Sequence, residues 1–144
     1  MTDFNTQQIK ILKKLFAHSP MTTGLGIPEK FLLQYVLFEA LTRLVGSNYR
    51  NRVAQRKKST THESLKIDVV KRSFKHFSIR VSDERLNLLL NSKLTKKDEK
   101  SARKLRDGLV HQWKAEDVQE VIKRYGALSN ALIEVSSAIE ARVH

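Results

Sequence analysis

The sequence predicts an all-α domain, a helical bundle of about four main helices plus a short extra helix. Three observations point there. Leu, Lys, Ala and Glu are abundant, whereas the chain holds only five Gly and two Pro, and both Pro lie between residues 20 and 28. That balance favours helix over sheet. Apolar residues recur three and four positions apart rather than alternating, the period of a helix with one buried side. The 144 residues and the hydrophobic share of 40% suffice for one domain, 1–144, around a single core.

A first helix is expected over 4–18, with Ile9, Leu12, Leu15 and Phe16 as its apolar stripe. Thr2 or Asp3 can cap it and Ser19-Pro20 stops it. Residues 21–27 read as a loop whose glycines have neither the spacing nor the lysine of a phosphate-cradling loop. Pro28 suits the first turn of a helix over 29–45, ended by Gly46. That helix is apolar around most of its circumference. Its polar exceptions, Gln34, Glu39, Thr42 and Arg43, share one side, and Glu39 and Arg43 are spaced to pair.

Residues 47–61 carry Arg50, Arg52, Arg56, Lys57 and Lys58 around Tyr49, and either prolong that helix or form a basic arm. Tyr49 either stacks on a base or is a partly buried surface residue. A third helix is expected over 62–77 on Leu65, Val69, Val70, Phe74 and Phe77. Ser82, followed by Asp83 and Glu84, opens a short helix through Leu90. Thr95 with Asp98 resembles a capping box, and the helix it opens carries Ala102, Leu105, Leu109 and Trp113 toward the core. A long last helix over 116–143 repeats Val118, Val121, Ile122, Tyr125, Leu128, Leu132, Val135 and Ile139 at helical spacing.

The net charge of +12 is unevenly distributed: residues 43–104 hold eighteen Lys and Arg against six Asp and Glu, and the rest of the chain balances. A contiguous basic stretch attracts polyanions by counterion release, with nucleic acid the natural partner and an anionic membrane surface the weaker one. The plainer alternative is a face of solvated lysines. The longest apolar stretch, 31–45, is interrupted by Gln34, Glu39, Thr42 and Arg43, too short and polar to span a bilayer. Residues 1–14 lack a signal-peptide core. A cytoplasmic protein without a membrane partner is therefore expected. No Cys is present, so thiolate catalysis, disulfides and Cys-ligated zinc are excluded.

The residues that can carry chemistry lie in Arg106-Asp107-Gly108-Leu109-Val110-His111. At about 100° per residue, Ala102, Leu105, Leu109 and Trp113 fall on one side of a helix and Lys100, Lys104, Asp107 and His111 on the other. Asp107 stands one turn before His111 and is placed to accept a hydrogen bond from its ring, which would orient a general base. Fixed positive charge nearby suits a developing phosphorane. Arg106 and His111, five apart, are separated by about 140° on a regular helix. They converge only if Arg106 reaches round or if the helix is irregular near Gly108.

This R-x4-H pattern, with a polar residue after the Arg, resembles the signature of the HEPN superfamily, helical domains of about this length. The resemblance implies an HEPN-like bundle and a metal-independent endoribonuclease of the kind found in toxin–antitoxin, phage-defence and CRISPR-associated systems. It also implies a homodimer whose two motifs meet in a cleft at the subunit interface, with no cofactor. Carried over by position, His111 is the general acid/base, Arg106 holds the scissile phosphate and Asp107 orients them. Glu39 is the candidate for the acidic residue that some members add from an earlier helix. One departure matters: where a subgroup continues as R-x4-H-x-Y, this chain has His111-Gln112-Trp113. Silencing by tyrosine modification is therefore not expected. The implied partners are RNA and a regulatory protein such as an antitoxin.

RNA contacts are assigned to Arg50, Arg52, Arg56, Lys57 and Lys58, and to Lys100, Arg103 and Lys104 beside the motif. His18, His62, His76 and His144 have no ligand spacing, so no metal site is expected. Two other classes compete with the ribonuclease: a non-catalytic module binding nucleic acid or nucleotide, and a bundle that docks a partner protein.

Overall fold

A computed structural model describes residues 26–53, 65–91 and 99–142. Five helices and no strand occur among them: α1 (Ile27–Val53), α2 (Ile67–His76), α3 (Asp83–Leu90), α4 (Ala102–Gln112) and α5 (Ala115–Glu140). The all-α expectation holds for the described residues. The helix expected over 4–18, the cap at Thr95 and the basic residues Arg56, Lys57 and Lys58 lie outside them.

α1 begins with half of a capping box, closed by the Glu29 side chain alone. The Glu29 carboxylate accepts the Gly26 N–H at 3.2 Å, while Lys30 N–H donates to the Gly26 carbonyl at 3.0 Å. Gly46 does not end the helix, contrary to its reading as a terminator; it lies buried mid-helix, and α1 continues to Val53. Burial against neighbouring helices overrides the roughly 1 kcal/mol that glycine costs in a helix. Of the two alternatives for residues 47–61, the helical extension applies through 53.

α2 closes with a Schellman motif. Ile79 N–H donates to the Phe74 carbonyl at 2.8 Å and Ser78 N–H to the Lys75 carbonyl at 3.2 Å, with Ser78 left-handed at φ 58°. The Ser82 hydroxyl accepts Arg85 N–H at 3.2 Å and opens α3 as expected. α4 is opened by Ser101, whose hydroxyl accepts Lys104 N–H at 3.3 Å. Residues 99–101 are not helical, so the helix carrying Ala102 cannot begin at Thr95.

α1 and α5 make the most extensive helix pair. Phe31, Tyr35, Phe38, Leu41 and Val45 of α1 are fully buried, as are Val121, Leu128, Ala131, Val135 and Ile139 of α5. α4 adds Ala102, Leu105 and Leu109 at the predicted spacing, α3 adds Leu86, Leu89 and Leu90, and α2 adds Val70 and Phe74. Each such side chain contributes on the order of 1.5–3 kcal/mol of burial. Trp113 departs from its expected core role: it is 48% exposed and caps α4 in a left-handed conformation at φ 48°. The helix stops one residue too early for the wheel to carry Trp113 inward. Trp113 and Lys114 alone link α4 to α5, so these two helices form a tight hairpin. No helix among the described residues is long and apolar enough to cross a membrane.

Candidate functional site

α4 is held on its inner face by Leu105 and Leu109, and this sets where the motif residues point. Arg106 turns toward α1. Its guanidinium donates to Glu39 at 2.9 Å, pairs with Asp107 at 3.0 Å, and lies 5.4 Å from the centre of the Tyr35 ring. Glu39 reaches Arg43 less closely, at 3.8 Å, so its main partner is the Arg of the motif and not its own helix neighbour. Burial acts against the Arg106 charge. The hydrogen bond and charge of Glu39, followed by Asp107 and Tyr35, outweigh it and hold the guanidinium above its ordinary pKa. Burial, with the Glu39 charge adding to it, pushes the Tyr35 hydroxyl well above its usual pKa, and that hydroxyl has no hydrogen-bond partner among the described residues.

His111 turns the other way. It is exposed and lines an open groove of about 480 Å³ with Lys100, Lys104, Asp107, Gln112 and Lys114. The expected face of Lys100, Lys104, Asp107 and His111 is thus present, but it faces the start of α5 across a groove. The expected Asp107–His111 hydrogen bond does not form; the Asp107 carboxylate is taken by Arg106. Arg106 is absent from the groove lining. α4 runs unbroken through Gly108, so neither reach nor irregularity brings Arg106 and His111 to one point within a single copy.

Asp117 closes this groove, and sequence reasoning did not single it out. Its side chain is buried at 3% exposure, and its carboxylate accepts from Lys100 Nζ at 2.8 Å. That hydrogen bond raises the Lys100 pKa above the usual lysine value, against the opposing effect of burial. A Cβ at position 108 would collide with the Asp117 carboxylate, so Gly108 is the residue that lets α5 approach the motif. A glycine inside a predicted amphipathic helix was the available signal for that approach. A first-turn Asp usually serves only the helix dipole, so nothing in the pattern distinguished Asp117.

Among the assigned nucleic-acid contacts, Lys104 is exposed and makes no ion pair among the described residues. Lys100 is tied to Asp117, and Arg103 is half-buried with its guanidinium 3.5 Å from the Leu65 carbonyl. Arg50 is half-buried on α1, and the helix includes Arg52. Tyr49 packs edge-on against His76 at 5.4 Å, which favours the partly buried alternative. Among the described residues no group of three His, Asp or Glu is arranged to hold a metal ion. Compared with known proteins, the chain matches no family model, no curated sequence and no solved structure.

Proposed function

We propose that this basic protein is a metal-independent endoribonuclease of HEPN type, acting in the cytoplasm as a homodimer within a toxin–antitoxin, phage-defence or related RNA-targeting system. The observation that supports it best is the exposed His111 in a groove with Lys100, Lys104 and Lys114, on the same helix as Arg106. A proton-transfer group beside fixed positive charge suits phosphodiester cleavage. His111 takes the proton from the RNA 2′-hydroxyl, whose oxygen attacks the adjacent phosphorus. The 5′-oxygen leaves with a proton returned to it, and a 2′,3′-cyclic phosphate remains. Arg106 exchanges a carboxylate for the scissile phosphate. DNA lacks the attacking hydroxyl and is not cut.

Because Arg106 and His111 face different sides of α4, the working site combines Arg106 of one copy with His111 of another. Exposed apolar side chains flank the Arg106–Glu39 pair: Val36, one turn before Glu39, is 50% exposed, and Val110, one turn after Arg106, is 58% exposed. A second copy seated there would bury both. The competing reading is a non-cleaving module that binds nucleic acid or a partner protein, and the engagement of Arg106 by two carboxylates favours it.

The test is cleavage of a labelled RNA in the presence of EDTA. His111→Ala and Arg106→Ala should each lose about 10²–10⁴ in rate. An equimolar mixture of the two variants should recover about a quarter of wild-type activity, because half the dimers then hold one intact composite site. Wild-type protein that cuts no RNA, or a His111→Ala variant that cuts as fast, would reject the ribonuclease.

A further inference from the structure

The chain carries a second basic groove, sharing no residue with the one beside His111. It lies over the turn between α2 and α3, encloses about 680 Å³, and has Phe74, Ile79 and Leu86 as its apolar floor. Lys71, Lys75 and Arg80 stand on its rim. The turn is fixed by the Schellman closure of α2 and the Ser82 cap of α3, so the rim cations project from a rigid base. Their charges are largely uncommitted. Lys75 and Arg80 are exposed and make no ion pair among the described residues. Among the described residues Lys71 pairs with Asp83 alone, at 3.7 Å, and that carboxylate is 78% exposed. An exposed pair at this distance holds its partners weakly.

Around the motif the cations are divided: Arg106 is held by Glu39 and Lys100 by Asp117, while Lys104 and Lys114 are exposed. Counterion release depends on cations that are free to neutralise phosphate, and the α2–α3 rim supplies three within one groove. The groove has room for a nucleotide, but Phe74, Ile79 and Leu86 are at most 5% exposed, so the contacts it offers are phosphate contacts at the rim.

We infer that the α2–α3 groove is a second binding site for single-stranded RNA, in which Lys71, Lys75 and Arg80 hold backbone phosphates away from the R-x4-H motif. The inference rests on the proposal that this chain acts on RNA, but not on cleavage. The experiment is therefore binding, measured by fluorescence anisotropy with a 2′-O-methyl oligoribonucleotide that cannot be cut. The double variant Lys75→Gln/Arg80→Gln is compared with the charge-matched Lys30→Gln/Lys123→Gln, whose side chains are exposed elsewhere. The groove variant should bind about tenfold more weakly at low salt, with a log–log salt slope shallower by about 1.4, and the matched variant should change little.

Equal losses in both variants, or no loss in the groove variant, overturn the site. So does a wild-type protein that ignores the oligonucleotide yet binds phosphatidylserine vesicles through these residues. Wild-type protein that binds RNA through this groove but cuts none leaves the inference standing and removes the ribonuclease. Cleavage without any loss in the groove variant does the opposite.

Discussion

On the α1 side of α4, Arg106 is held by Glu39 at 2.9 Å and by Asp107 at 3.0 Å. On the α5 side, Lys104 and His111 stand exposed over an open groove, and neither makes an ion pair among the described residues. The two sides of one eleven-residue helix thus carry charge in opposite conditions. A committed guanidinium must exchange partners before it meets a phosphate, whereas an exposed lysine or histidine needs only to shed water. Arg106 is accordingly held in place by its carboxylates, and the His111 side is accessible. Gly108 stands between them and sets how closely α5 approaches the second side.

The strongest way to break this contrast is at Gly108. In Gly108→Ala the new Cβ displaces the Asp117 carboxylate from Lys100. Lys100 is 36% exposed and only Asp117 is buried, so parting them costs about 2–4 kcal/mol, and about 1 kcal/mol returns as helix propensity. A net loss of roughly 1–3 kcal/mol is expected in urea denaturation. Gly126→Ala is the reference: nothing lies within 4 Å of a Cβ there, so stability should rise by about 1 kcal/mol. Similar values for the two would show that α5 does not crowd α4 at Gly108.

A smaller effect sharpens the Arg106 side. Glu39→Gln keeps a hydrogen-bond acceptor but removes the charge facing a half-buried guanidinium, and should lose about 1–2 kcal/mol. Asp107→Asn removes a partner that is 48% exposed and should lose under about 0.5 kcal/mol. Reversal of that order in thermal or chemical unfolding would mean that Asp107, not Glu39, anchors Arg106.

The smallest effect near neutral pH lies on the Lys100–Asp117 pair. The Lys100 pKa is raised in the folded protein, chiefly by its hydrogen bond to Asp117. Its contribution is therefore complete below the ordinary lysine pKa and is lost as pH rises through the higher folded value. The melting temperature should show no dependence on this pair near neutrality and should fall in the alkaline range. Lys100→Met should reduce that alkaline fall. A variant whose alkaline profile matches the wild type would remove the pair as its source.

Much of the fold was legible because helical periodicity needs only local spacing. Leu105 and Leu109 went to the core, Ser82 capped α3, and the last long helix formed around Val121, Leu128, Leu132, Val135 and Ile139. The misassigned ends share a cause. Gly46 was expected to stop α1 and Trp113 to continue α4, because termination was judged from residue preference alone. Packing carried α1 through Gly46, and a two-residue link forced Trp113 into a left-handed turn. At the candidate site, the division of α4 into a core stripe and a polar face followed from the wheel. The partners did not, since Glu39 and Arg106 are 67 positions apart.

By itself, the sequence determined the helices of the described residues, a basic middle, and a helix that presents Asp107 and His111 away from its apolar stripe, because composition and a 3.6-residue period act over a few neighbouring residues. Only the tertiary structure decided that Glu39 takes Arg106, that Asp107 follows Arg106 and not His111, and that Asp117 fits beneath Gly108. Those outcomes depend on which helix faces arrive within about 3 Å of one another, a distance that packing of the whole core sets and no local pattern encodes.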